Sequence, residues 1–230
     1  MASPRPIGII GCSAEGAALC YRTICAEAPA RLGPHAHPTV TLHTPSLAAY
    51  VDGLERGDLA AVAELTAASA DILAEAGAQI LICPDNTIHQ ALPEQFPRPF
   101  IHIAEAVRSE AVAMGVKRLA VLGTRWLMES PVYETVMGRA GIETVIPDEV
   151  GRESINAIIM EELVLAAPAL DCAQRVKDVL AGLAAGGCDG AVLACTELPL
   201  VVQGSVAGMP LFDSTRILAR AALDAAIADE

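Results

Sequence analysis

Aromatic residues are scarce in this chain. Phe, Trp and Tyr make up 3% of it, with a single Trp. A core of ordinary density must therefore come from Ala, Val, Ile and Leu, which suits Ala-rich helices packed on short aliphatic strands. Basic residues are also few, 15 Lys and Arg against 28 Asp and Glu, for a formal charge of −13. That shortage removes the basic surface needed to neutralise phosphates, and nucleic acid is excluded as a partner. It equally offers an anionic membrane no attraction. No apolar run approaches the roughly 20 residues of a membrane span. The segment Ile7-Gly8-Ile9-Ile10 is too short for a signal-peptide core. None of the seven cysteines forms a C-x-x-C pair, so neither a zinc knuckle nor a thioredoxin-like motif is expected, and no metal. Thiols of this kind fit a reducing cytoplasm, mostly as core filler. Gly8, Gly11 and Gly16 do not complete a G-x-G-x-x-G fingerprint, so no dinucleotide is expected.

What is present is abundant aliphatic sequence, since 53% of the 230 residues are hydrophobic. Strands are predicted at Ile7–Ile10, Thr39–His43, Gln79–Cys83, Phe100–Ile103, Leu119–Leu122, Glu143–Ile146, Ala191–Ala194 and Pro210–Phe212. Helices are predicted at Glu15–Glu27, Asp58–Ala76, Ile103–Met114, Met128–Ala140, Arg152–Leu165, Ala169–Gly186 and Ser214–Ala228. Continuous apolar strands alternating with helices indicate βαβ units and a mostly parallel sheet.

The chain also repeats itself. Ile7-Gly8-Ile9-Ile10-Gly11-Cys12-Ser13 is echoed by Leu119-Ala120-Val121-Leu122-Gly123-Thr124-Arg125. Ile80-Leu81-Ile82-Cys83-Pro84-Asp85-Asn86-Thr87 is echoed by Ala191-Val192-Leu193-Ala194-Cys195-Thr196-Glu197. The spacing agrees, with 74 residues from Gly11 to Asp85 and 72 from Gly123 to Cys195. The expected fold is α/β, with two pseudo-symmetric lobes, each a mostly parallel sheet flanked by helices. Residues 1–104 would form the first lobe, joined by a C-terminal helix within 210–230, and residues 105–209 the second. Ligands bind beyond the carboxyl ends of such strands. The expected active site is therefore an interlobe cleft with Asp85 and Cys195 on opposite walls.

Both repeated strands end on polar residues that open a turn. Backbone N–H groups at a helix N-terminus can bind a carboxylate, and the same positive end favours a thiolate. Asn86, Thr87 and Thr196 add donors, and Ser13 and Thr124 follow the first strand of each repeat. Each is also an ordinary cap or turn residue. Their recurrence in both halves favours ligand contact for the set, together with Glu197. His35, His37 and His43 are read as loop and packing residues, and Glu161-Glu162 as a solvated helix face. His89 has two open readings, orienting the loop before it or lying on a helix surface. Trp126 and Met128 either line a pocket or anchor a loop.

These residues, in this order, resemble the aspartate/glutamate racemase superfamily, and most of all its aspartate racemase branch. The likeness runs over essentially the whole chain. It includes the Ile-Gly-Ile-Ile-Gly opening with Ser13, Glu15 and Tyr21-Arg22, and then Asn86-Thr87-Ile88-His89. It continues through His102 to Ala106, Leu122-Gly123-Thr124-Arg125 with Met128-Glu129, Ile146-Pro147-Asp148 and Ile158 to Leu163. Ala194-Cys195-Thr196-Glu197-Leu198 and Pro210 to Thr215 complete it. The resemblance implies a homodimer that binds a small carboxylate, amino acid or related acid, between its lobes. It implies removal and return of the proton on the carbon next to that carboxylate, without pyridoxal or any other cofactor. Two cysteines usually do this, one as thiolate and one as thiol, each poised near the working pH. Carboxylate-binding donors stabilise the developing charge.

Three positions depart from the pattern. Cys195 matches the second cysteine, but Asp85 stands where the first is usual. An unperturbed aspartate titrates near 3.9 and a cysteine near 8.5, so Asp85 is the weaker base unless burial raises it. Cys83, two residues earlier, is an alternative thiol. Ser154 replaces a lysine common in aspartate racemases, with Arg125 or Arg152 as possible substitutes, and Leu218 replaces a histidine. Alternatives to racemisation therefore stay open. They are an arylmalonate-type decarboxylase, a maleate-type cis–trans isomerase, and a noncatalytic carboxylate-binding protein.

Overall fold

The computed structural model describes residues 3–93, 96 and 99–228. Its strands are β1 (Ile7–Ile10), β2 (Val40–His43), β3 (Ile80–Ile82), β4 (Phe100–Ile101), β5 (Arg118–Leu122), β6 (Glu143–Val145), β7 (Gly190–Leu193), β8 (Ser205–Val206) and β9 (Met209–Asp213). Its α-helices are α1 (Ala14–Glu27), α2 (Pro29–Leu32), α3 (Leu47–Glu55), α4 (Leu59–Glu75), α5 (Ile103–Ala113), α6 (Arg125–Met128), α7 (Val132–Gly138), α8 (Glu149–Ala157), α9 (Cys172–Ala185) and α10 (Ser214–Ile227).

The chain divides into two compact units, Met1–Ile103 with Thr215–Glu230, and Ala104–Ser214. The first unit holds a sheet in the order β2-β1-β3-β4, parallel throughout. The second holds β6-β5-β7-β9-β8, parallel except for the terminal β8–β9 pair. Apart from β8, the two orders are the same. Each sheet is flanked by helices, so the fold is α/β with two mostly parallel sheets. The strands at the middle of each sheet, β1 and β7, are buried at every residue. That is the pattern of strands covered on both faces. The edge strands β2 and β6 are only partly buried.

Glycine is required where backbone and helix come close. A Cβ on Gly8 would lie 2.7 Å from Leu81 Cδ2 and 2.9 Å from Ala78 Cβ. A Cβ on Gly123 would lie 2.8 Å from both the Ala194 carbonyl oxygen and Leu127 Cδ2. Gly123 thus lets the chain leaving β5 pass against the chain leaving β7.

Several predicted elements differ in the structure. The predicted helix Met128–Ala140 is two helices, α6 and α7, because Pro131 between them cannot donate to a helical ladder. The predicted helix Arg152–Leu165 starts earlier, at Glu149, where Asp148 caps it by accepting the Gly151 N–H at 2.8 Å. It then widens into a π-helix over Ile158–Leu163. Helix α3 was not expected at all. Its Gly53 disguises it in sequence, yet a Cβ there would stand 2.9 Å from Val62 of α4, so the glycine permits close α3–α4 packing. The β8–β9 hairpin also escaped prediction. Its turn uses Ala207 and Gly208 with φ of 51° and 79°, and alanine is an unusual residue for that conformation.

The Glu161-Glu162 pair is not a uniformly solvated face. Glu162 pairs with Arg175 and accepts the Ala169 N–H at 2.9 Å. The Arg175 guanidinium, followed by that N–H, holds its carboxyl below the usual range.

Candidate active site

Each unit presents a polar turn where a buried central strand ends. In the first, β3 is followed by Cys83, Pro84 and Asp85, and then by a 3-10 turn over Thr87–Ala91. The Asp85 side chain holds this turn, its Oδ1 accepting the Ile88 N–H at 3.2 Å. Asn86 and Thr87 are buried. Cys83 is buried in the core of this unit with Cys12 and Tyr50, and its thiol donates to the Asp85 carbonyl oxygen at 3.8 Å. The alternative thiol is therefore a core side chain.

His89 resolves in favour of the orienting reading. It is buried, and its Nε2 lies 3.0 Å from the Cys83 carbonyl oxygen. A carbonyl can only accept, so Nε2 carries the proton. Burial, reinforced by His102 edge-on at 4.3 Å, pushes His89 well below the ordinary histidine range and keeps it neutral. The ring pins the strand exit that leads to Asp85.

In the second unit, β7 is followed by Ala194 and then by Cys195, Thr196 and Glu197, all buried. The Cys195 thiol donates to Glu197 Oε2 at 3.0 Å, and the Thr196 hydroxyl donates to the same oxygen at 2.6 Å. No ion pair neutralises Glu197 among the described residues. The expected helix N-terminus after Cys195 is not there. Leu198–Leu200 is one short 3-10 turn with Pro199 inside it, so few peptide dipoles align behind the thiol. The group placed on Cys195 is instead the Glu197 carboxyl. The same correction applies after Asp85, where the helix is again only a 3-10 turn.

Ser13 and Thr124 occupy equivalent positions in the two units. Ser13 caps α1 by accepting the Gly16 N–H at 3.2 Å, and Thr124 caps α6 by accepting the Leu127 N–H at 3.3 Å. An accepting hydroxyl keeps its own proton to donate. Arg125 and Arg152, considered as substitutes for the missing lysine, are engaged elsewhere. Arg125 pairs with Glu129 and Glu153, and Arg152 pairs with Glu129. Met128 lines a hollow of about 210 Å³ with Val121, Leu127, Tyr133, Glu134 and Thr144. Cys195 does not line it. No group of three or more His, Cys, Asp or Glu among the described residues is placed to hold a metal ion. No helix there is long and apolar enough to cross a membrane.

Comparison with known proteins bears on this arrangement. The profile of the Asp/Glu/Hydantoin racemase family matches residues 7–222, nearly the whole chain. The chain belongs to that family. Among solved structures, a presumptive Asp/Glu racemase from Yersinia pestis is 31% identical with a TM-score of 0.87, covering 97% of this chain and 100% of its own. PH1733, an aspartate racemase homologue from Pyrococcus horikoshii, shares the fold at 24% identity and a TM-score of 0.76, over 96% of this chain and 99% of its own. The broad specificity amino-acid racemase RacX of Bacillus subtilis is 24% identical over 159 residues, 68% of each chain. Within this Asp/Glu/Hydantoin racemase family member, Asp85 and Cys195 leave corresponding strands of the two units, β3 and β7. Sequence reasoning missed the engagement of Glu197 with Cys195. The two-residue spacing was visible, but nothing in it marked the side chains as turned toward each other.

Proposed function

We propose that the protein racemises a small amino acid or related acid by cofactor-independent proton transfer at the carbon next to the carboxylate. Cys195 and Asp85 serve as the acid and base of that transfer. Ser13, Asn86, Thr87 and Thr124 supply hydrogen bonds to the substrate, stabilising negative charge as the C–H bond breaks, while Thr196, placed with them by sequence, keeps its hydroxyl proton on Glu197. The aspartate racemase branch, a homodimeric state and a reducing cytoplasm belong to the same reading. The observation that carries it is Cys195 at the exit of β7, in a chain matched to a racemase family over residues 7–222. A relative named as a broad specificity amino-acid racemase, RacX of Bacillus subtilis, supports the substrate class.

The test is deuterium uptake at Cα, read by mass spectrometry across a panel of amino and hydroxy acids in heavy water. At least one acid exchanges, and Cys195→Ser lowers its rate by 100-fold or more, about the low end of what a positioned acid or base contributes. Absence of exchange on every acid would sink the reading. Carbon dioxide release from a disubstituted malonate, without racemisation, would select the decarboxylase, which needs one thiol only.

A further inference from the structure

The Cys195–Thr196–Glu197 cluster contains more than an isolated thiol needs. Glu197 is 3% exposed, and among the described residues no cation stands against it. An uncompensated buried charge is unfavourable unless donors surround it. Here the donors are the Cys195 thiol at 3.0 Å and the Thr196 hydroxyl at 2.6 Å, both on the same oxygen, Oε2. Loss of the thiol proton would set a thiolate beside a carboxylate at that separation. Two like charges so close in a buried site disfavour each other.

We propose that Glu197 is a positioning residue for Cys195, holding residue 195 as a thiol so that it enters the reaction as the proton donor. The inference rests on the racemase reading above and assigns the starting protonation state of its second acid–base group. In the donating step the Sγ–H bond breaks and a C–H bond forms on the substrate carbanion. The electron pair of the broken bond stays on sulfur as thiolate. That thiolate lies beside Glu197, and the repulsion makes it a stronger base for taking a proton back in the reverse direction. Thr196 limits the effect by sharing Oε2. The arrangement also gives Glu197 a role other than direct binding of substrate, the role its sequence position suggested.

The test reads the thiol itself, independently of turnover. Alkylation of Cys195 by iodoacetamide is followed against pH in the full-length protein, with the modified peptide resolved by mass spectrometry. In Glu197→Gln the half-point falls by one pH unit or more relative to wild type, so that alkylation near pH 7 rises about tenfold. Glu197→Asp, which keeps the charge, retains most of the wild-type profile. Thr196→Val shifts the half-point upward, because Oε2 then bonds the thiol alone. This variant decides the matter if Glu197→Gln does not fold. Superimposable profiles for wild type and Glu197→Gln, or an unmoved half-point in Thr196→Val where that variant decides, would overturn the inference even if deuterium exchange succeeds. A shifted profile without exchange on any acid leaves the coupling standing and removes the racemase reading instead.

Discussion

His89 shows how one side chain can tie stability to pH. The native state keeps it neutral, through burial first and His102 second. In the unfolded chain it would titrate near its ordinary 6.5. Below that pH the unfolded state takes up a proton that the native state refuses, so stability is full above 6.5 and is lost as pH falls beneath it. Each pH unit in that window removes up to about 1.4 kcal/mol. Urea unfolding at pH 7.5 and pH 5.0 should show this loss. His89→Gln, whose amide can still donate to the Cys83 carbonyl, should show a smaller difference between the two pH values. An unchanged pH dependence in that variant would mean that other groups carry it. The sequence placed His89 beside the Asp85 loop but left its role open, because four residues of spacing do not say which way a ring turns. The capping bonds of Ser13 and Thr124, one of the two roles read for them, were easier to anticipate. Caps act within three residues of themselves, and local sequence suffices to find them.

At the scale of elements, the crossing of the β5 and β7 exits is the tight point. Gly123→Ala would place a methyl group against the Ala194 carbonyl and Leu127. The backbone must yield, at about 1–3 kcal/mol by analogy with overpacked cores. Ala194 precedes Cys195, so exchange activity should fall by more than the lost stability explains. Gly138→Ala is the control. It sits at the end of α7 with nothing within 4 Å of the added Cβ, and it should stabilise by about 0.5–1 kcal/mol. Thermal denaturation of the two variants, alongside activity, separates a packing effect from a helix-propensity effect. The central strands were legible because β-branched and aliphatic runs bounded by glycine have few other readings. Helix α3 and the β8–β9 hairpin were not. The first hides a helical glycine needed for packing, and the second pairs the predicted strand β9 with β8, a strand only two residues long.

At the scale of the molecule, the first unit is built from two separated stretches of chain. Thr215 onward returns to it, and α10 buries Ile217, Leu218 and Leu223. Those three side chains alone contribute about 4–9 kcal/mol on burial, comparable with the net stability of a whole domain. The helix is further tied by the Arg5 N–H to the Ala226 carbonyl at 2.9 Å, by Arg220 to Glu27 at 2.9 Å, and by Arg31 to Asp224. A chain ending at Ser214 should therefore fail to fold its first unit, although β1 to β4 are all present. Limited proteolysis should degrade residues 1–103 before 104–214. Equal protection of both stretches would refute this dependence.

Sequence alone determined the α/β class, the duplicated strand motifs and the membership that Cys195 and its neighbours signal, because hydrophobic period and short motifs are local and survive in linear order. Tertiary structure alone decided that Cys83 is core and that Glu197 meets the Cys195 thiol. Those outcomes depend on which rotamer packing permits and on which distant segment covers an apolar face. Neither quantity has a periodicity to read along the chain.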